Sequence, residues 1–258
     1  MKNNRRAVEE RQLGILNMVR EKEEISVEEL AGTFGISLMT VRRDLQYLED
    51  RGLLKRIHGG AVSLEKGSGP LTEEEKIRIC RARISEYAAR FVSDHDTLFI
   101  NGSLTALDML SYVKDRKVTV YTNNCYAVER TFPDGVSIHL TGGEVREHVM
   151  IGDYVMRNLL NLSADKTFIG CAAVYDDGEF RYDIPTEIGI NEAMISMTEK
   201  EIYILADHSK IRRRGIDENK YGSCIYDQPV TLITDDHVNP ALIERLRRTG
   251  MEVIQVQV

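Results

Sequence analysis

The residues from 37 to 48 read Ser-Leu-Met-Thr-Val-Arg-Arg-Asp-Leu-Gln-Tyr-Leu, and no other stretch of the chain restricts the fold as strongly. With 3.6 residues per turn, Val41, Leu45 and Leu48 fall on one side of a helix, with Leu38 at the edge of that face. Met39, Arg43 and Gln46 point the opposite way, flanked by Thr40, Arg42 and Tyr47. Ser37 is placed to cap the first turn, and Gly52 stands where a left-handed residue would end the helix. One face is therefore core, and the other carries two adjacent arginines with hydroxyl and amide groups. An element that reads the major groove of DNA needs such a helix: an apolar back, and guanidinium and hydroxyl groups for phosphates and base edges. An amphipathic surface helix with solvated arginines would show the same pattern, so its neighbours in the sequence have to decide.

Upstream, Arg5 to about Arg20 has helical periodicity, with Leu13, Leu16, Val8 and Ile15 as its inward candidates. Ser26-Val27-Glu28-Glu29 has the form of a capping box ahead of a short helix over 27–34 that carries Leu30, Ala31 and Phe34. Gly35-Ile36 is a tight turn. A short helix, a Gly-containing turn and a second helix describe a helix-turn-helix. Downstream, Leu53 to Val62 contains two short β-capable runs around a basic stretch and ends on a glycine pair. This predicts the hairpin of a winged helix, with Lys55, Arg56 and His58 near the DNA backbone. His58 fits a hydrogen-bonded turn residue equally well.

The motif Ile36-Ser37-x-x-Thr40-Val41-Arg42-Arg43-Asp44-Leu45-x-x-Leu48, followed by Gly52-x-Leu54-x-Arg56-x-His58-Gly59-Gly60-Ala61, resembles the DeoR family of bacterial transcriptional regulators. The preceding Glu29-Leu30-Ala31-x-x-Phe34 fits it too. The resemblance implies a winged helix-turn-helix that places Ser37, Thr40, Arg42 and Arg43 on operator DNA, with Gln46 and Tyr47 on the same face. Asp44 would be repelled by phosphates and is expected to orient an arginine instead.

Charge is permissive for this reading. The net formal charge is −7, but residues 1–62 carry +1 and the remainder −8. A local basic surface on an acidic protein suffices for phosphate contacts, while the acidic bulk weakens non-specific binding. Cys80, Cys125, Cys171 and Cys224 are far apart and form no Cys-x-x-Cys pair, so they read as reduced packing thiols, with no metal site and no cofactor expected. No apolar run is long enough to span a bilayer and no secretion signal is visible, which predicts a cytoplasmic protein without a membrane partner.

Residues 63–75, with Gly67-Ser68-Gly69-Pro70, read as a hinge. From 76 to 92 a long helix is expected, with Ile77, Cys80, Ile84, Ala88 and Phe91 on one side. Short apolar strands then alternate with helices, which predicts an α/β domain with a mostly parallel sheet covered on both faces. The expected division is a DNA-binding domain at 1–62, a linker at 63–75 and an effector-binding and oligomerisation domain at 76–258.

In parallel sheets ligands bind at the carboxyl ends of the strands. Those ends are rich in small polar residues: Asn101-Gly102-Ser103-x-Thr105, Thr122-Asn123-Asn124, Thr141-Gly142-Gly143 and Asp207-His208-Ser209-Lys210. Each alone could be turn chemistry. Together they suggest a pocket for a phosphorylated small molecule, built from Asn101, Gly102, Ser103, Thr105, Thr122, Asn123, Asn124, Gly142, Gly143 and Lys210. The same segments, with Phe168-Ile169-Gly170, follow the order of the DeoR effector domain. That resemblance implies a fold similar to sugar-phosphate isomerases and a phosphorylated sugar or polyol as ligand. The chain departs from the family where Asn101 stands for an acidic residue, Leu104 for Thr, Asn124 for Ser and Asn191 for Lys.

The expectation is a transcriptional regulator, a repressor of a carbohydrate-catabolism operon, modulated by a phosphorylated sugar or polyol and acting as a homo-oligomer, a dimer or tetramer. The alternatives are an activator, a ligand-insensitive regulator, and a sugar-phosphate isomerase with a DNA-binding appendage. The last would need a carboxylate base, for which Asp176, Asp177 and Glu187 are candidates.

Overall fold

A computed structural model of the chain describes residues 2–63, 72–215 and 222–258. They fall into two compact units, residues 1–79 and 80–258. The Gly67-Ser68-Gly69-Pro70 stretch of the expected hinge lies outside the described residues.

The first unit contains α1 (Lys2–Lys22), β1 (Glu24–Ser26), α2 (Val27–Phe34), α3 (Leu38–Asp50), β2 (Lys55–Ile57) and β3 (Gly60–Val62). Ser26 caps α2 by accepting from the Glu29 amide, and Gly35 ends it at φ 62°. Among the described residues no reciprocal bond joins the Glu29 carboxylate to the Ser26 amide, and Glu29 pairs with Lys22. Ile15, Val19, Leu30, Val41, Leu45 and Leu54 are essentially fully buried, each contributing about 1.5–3 kcal/mol of transfer free energy. Leu13, expected inward, is 59% exposed. Ile15, Leu16 and Val19 form the buried stripe of α1, and Leu13 lies about 200° around the helix from Ile15. The hairpin β2–β3 is present, and β1 extends it to an antiparallel sheet in the order β1-β3-β2.

Helix α4 (Glu73–Ala88) begins inside the expected linker. Thr72 and Glu75 form a reciprocal capping box: the Thr72 amide donates to Glu75 Oε2 at 2.8 Å and the Glu75 amide donates to Thr72 Oγ1 at 3.3 Å. The boundary between the units falls after Ile79.

The second unit is built on seven parallel strands: β4 (Thr97–Ile100), β5 (Val118–Thr122), β6 (Val136–Leu140), β9 (Ala164–Gly170), β12 (Thr198–Leu205), β15 (Thr231–Asp235) and β16 (Glu252–Val256). Their order is β16-β15-β12-β9-β4-β5-β6. Alternate side chains serve opposite faces. Leu98, Ile100, Phe168, Leu205 and Ile233 pack with Ile84 and Ala88 of α4 and with α5 (Leu104–Met109). Phe99, Ile169, Ile204 and Leu232 pack with α6 (Asp153–Leu159), α7 (Glu187–Ser196) and α8 (Pro240–Arg248). Burial on both faces explains the continuous apolar runs of these strands.

Two smaller sheets complete the unit. The hairpin β7 (Glu144–Arg146)–β8 (Val149–Ile151) turns through Glu147 and His148, both at positive φ, 45° and 70°. A four-stranded sheet joins β10 (Ala173–Tyr175), β11 (Phe180–Arg181), β13 (Ile211–Arg212) and β14 (Ser223–Cys224).

Candidate DNA-reading helix and effector site

Ser37 caps α3, its Oγ accepting from the Thr40 amide at 3.2 Å and lying 2.9 Å from Thr40 Oγ1. Val41, Leu45 and Leu48 are buried, while Leu38 is 41% and Met39 71% exposed. Arg42 and Arg43 are exposed, and among the described residues neither has a hydrogen-bond or ion-pair partner. Asp44 is buried and held by α1: Arg11 donates to it through Nε at 2.7 Å and Nη2 at 3.2 Å, and Gln12 at 2.9 Å. It does orient an arginine, one outside the helix that carries it.

The other residues assigned to this face are engaged within the unit. Gln46 donates to Asp50 at 2.7 Å and accepts from Arg56, whose own amide donates to Glu49 at 2.8 Å. Tyr47 is half-buried under the Arg51 guanidinium, 4.4 Å from the ring centroid. Lys55 Nζ lies 2.8 Å from Glu75 Oε1. The Lys55 hydrogen bond, with help from Thr72, holds the Glu75 carboxyl down to about 2. His58 is exposed at the hairpin turn.

In the second unit the chain winds from β4 outward to β6, then returns to β9 on the other side of β4 and proceeds to β16. The switch point therefore lies between the carboxyl ends of β4 and β9, where open α/β sheets offer a ligand crevice. Asn101 and Gly170 meet there. Asn101 Nδ2 donates to the Gly170 carbonyl at 3.0 Å and to Asn191 Oδ1 at 3.1 Å. Its Oδ1 accepts from the amides of Gly170 at 3.0 Å and Ser103 at 3.1 Å. Asn101 is 3% exposed and all its hydrogen-bonding capacity is used inside the protein.

Several expected residues gather around this clasp. Asn124 Nδ2 donates to the Ser103 carbonyl at 3.2 Å, and Lys210 Nζ donates to the Cys171 carbonyl at 2.7 Å, next to Gly170. A Cβ on Gly170 would lie 2.3 Å from Ser103 Oγ, and one on Gly102 would lie 2.3 Å from Val149 Cγ1; both glycines permit close approach. Asn123 exchanges bonds with Met150 of β8, its Nδ2 donating to the Met150 carbonyl at 3.1 Å. Thr122 Oγ1 accepts from the Asn124 amide, while the Thr105 carbonyl faces Ser85 beneath α4. Gly142 and Gly143 are exposed at φ 74° and 110°, joining β6 to β7. At the N-terminus of α5, Ser103 Oγ caps the Ala106 amide at 3.3 Å.

Three buried polar atoms at this edge have no partner among the described residues: Asn123 Oδ1, Thr141 Oγ1 and Asn191 Nδ2. Glu187, left out of the expected binding set, opens α7, with Oε1 3.0 Å from where a Gly102 Cβ would stand. Burial, reinforced by the carboxylates of Asp183 and Glu147, pushes Glu187 up to about 7. Near neutrality such a group both donates and accepts hydrogen bonds.

No helix among the described residues is long and apolar enough to cross a membrane. Residues 11–67 match a model described as the DeoR-like helix-turn-helix domain, and residues 75–236 match the DeoR C terminal sensor domain. The uncharacterized HTH-type transcriptional regulator YulB of Bacillus subtilis is 29% identical, covering 96% of this chain and 97% of its own. The HTH-type transcriptional repressor GlcR of the same organism is 28% identical over 95% of each chain. The HTH-type transcriptional regulator IolR, also from B. subtilis, is 30% identical, covering 72% of this chain and 76% of its own. The matched families are regulators rather than enzymes. The chain belongs to the DeoR family of DNA-binding transcriptional regulators.

Proposed function

We propose that the protein represses a carbohydrate-use operon and that a phosphorylated sugar or polyol, bound at the carboxyl edge of the parallel sheet, modulates its hold on the operator. The DNA half of this reading rests on Arg42 and Arg43, two exposed arginines without partners among the described residues, on a capped helix whose back is buried. Ser37 and Thr40 accompany them, and Arg56 and His58 of the hairpin serve the backbone, with Lys55 joining them only where it leaves Glu75. Because one short helix reads few base pairs, binding is to paired half-sites by a homo-oligomer. Repressors among the relatives support the sign of regulation.

The effector half rests on the unpartnered buried atoms Asn123 Oδ1, Thr141 Oγ1 and Asn191 Nδ2, beside Glu187 and Lys210. A polyhydroxylated ligand satisfies such atoms, and an ammonium with two further donors serves its phosphate. A ligand at 100 times its dissociation constant raises the stability of the unit it binds by about 2.7 kcal/mol. Thermal unfolding against sugar phosphates and their unphosphorylated parents tests this. A shift with one phosphorylated compound, lost in Lys210→Ala, supports the reading; a flat response rejects it. Asn101 favours a second reading, a regulator of altered or lost ligand response, because its amide closes the switch point where the family more often has an acidic residue.

A further inference from the structure

Strands β12 and β15 are parallel neighbours, with Leu205 opposite Ile233, so the residues at and just beyond their carboxyl ends come together. These are His208, Asp235 and His237. Ile84 and Ala88 of α4 pack on the same face of the sheet as Leu205 and Ile233, and Cys80 lies one turn before Ile84. That places a thiol beside two imidazoles and a carboxylate. Cys80 Sγ is 3.8 Å from His237 Nδ1, His208 Nδ1 is 2.9 Å from Asp235 Oδ1, and His237 Nδ1 is 3.4 Å from the same oxygen. One ligand atom from each of the four lies within 4.8 Å of the others.

We propose that Cys80, His208, Asp235 and His237 form a binding site for a divalent transition-metal ion, with zinc the best match. A tetrahedral zinc ion with bonds of about 2.0–2.3 Å separates its ligand atoms by roughly 3.3–3.7 Å; the three pairs given above span 2.9 to 3.8 Å and all four atoms lie within 4.8 Å of one another, so small side-chain adjustments reach that geometry. Thiolate, imidazole and carboxylate together suit zinc, whereas calcium and magnesium require oxygen sets. The carboxylate is already oriented. Its Oδ2 accepts from the His208 amide at 2.8 Å and its Oδ1 from the His237 amide at 3.0 Å. Asp235 is fully buried, and the ion pairs described for it are with the two histidines, so a cation would balance a charge held in the interior. The His237 side chain is 46% exposed and gives the ion a path from solvent. Asp207 is committed elsewhere, to Arg81 at 2.7 Å and to Ser209. The ion would fasten α4 to the ends of two neighbouring strands, β12 and β15. This inference is independent of which effector the protein takes.

The test uses the tag-free full chain, stripped with a chelator and titrated with zinc against a chromophoric competitor, with cobalt as a spectroscopic substitute. One equivalent per chain should bind at about micromolar affinity or tighter. Cys80→Ser and His237→Ala should each weaken binding at least ~10-fold. Cobalt should give strong tetrahedral bands and a thiolate charge-transfer band that Cys80→Ser abolishes. Zinc should raise the urea midpoint of the wild type and not that of either variant. Failure to bind, an octahedral cobalt spectrum, or affinity unchanged in both variants would overturn the proposal.

Discussion

Asn101 and Gly170 lock the switch point of the parallel sheet. One side-chain amide donates to the Gly170 carbonyl and accepts from the Gly170 amide, each at 3.0 Å. In effect the side chain continues the β4–β9 ladder one step past the end of β4. A carboxylate could accept there but could not donate. Asn101→Asp therefore sets a negative oxygen against the Gly170 carbonyl and Asn191 Oδ1, and should cost about 1–3 kcal/mol. The urea midpoint near pH 7 should fall at unchanged slope, and an unchanged midpoint would show that the amide hydrogens contribute nothing.

Arg42 and Arg43 should separate by their salt dependence. If Arg43 makes a bidentate base contact, Arg43→Ala weakens operator binding by about 1–3 kcal/mol and relaxes sequence preference. If Arg42 serves a phosphate, Arg42→Ala lowers affinity for all sequences and reduces the slope of log K against log salt by about 1. Anisotropy titrations on operator and scrambled DNA distinguish them. Unchanged affinity in either variant would remove that arginine from the reading face.

Glu75 holds Lys55 away from the role expected of it on the hairpin. Replacing Glu75 with Gln removes the charge that pairs the ammonium while keeping a similar shape. Affinity for non-specific DNA at low salt should rise, with a salt slope steeper by about 1. The same affinity and slope in the variant would mean that Lys55 does not reach phosphate.

Glu187 makes stability depend on pH in a defined direction. Its folded pKa of about 7 lies above the ordinary 4.5, so between these values the folded protein binds the extra proton and stability falls as pH rises. The loss is absent below about 4.5, complete above about 7, and on the order of 3 kcal/mol. Glu187→Gln should flatten this window and be the more stable protein at pH 8. Urea midpoints from pH 4.5 to 8 measure it, and parallel curves for the two proteins would refute it.

Local signals made much of this architecture legible. Ser26, Gly35, Ser37 and Gly52 fix the bounds of α2 and α3 because caps and left-handed residues act within a few positions. The sheet strands announce themselves by apolar runs, since both faces are covered. The short strands β10, β11, β13 and β14 were not readable, because two or three residues carry no period. Leu13 was misplaced because a run of apolar residues on α1 admits more than one stripe, and packing chose Ile15, Leu16 and Val19. At the candidate effector site the residue types were visible but their commitments were not. Asn101 spends its amide on a residue 69 positions away, and Glu187 becomes notable only through burial beside Gly102.

If α3 reads DNA as proposed, the Asp44–Arg11 pair gives α1 a share in that reading that a map of contacts would miss. A helix that presents two arginines to a groove must be fixed about its own axis, since a rotation of one residue exchanges their aims. Asp44, on the opposite side from the exposed arginines, is anchored by Arg11 and Gln12. On the proposed repressor reading, genetic screens for derepressed alleles should therefore return Arg11 and Gln12 alongside Arg42 and Arg43. Those α1 alleles would describe faulty aim, with the contact residues themselves intact.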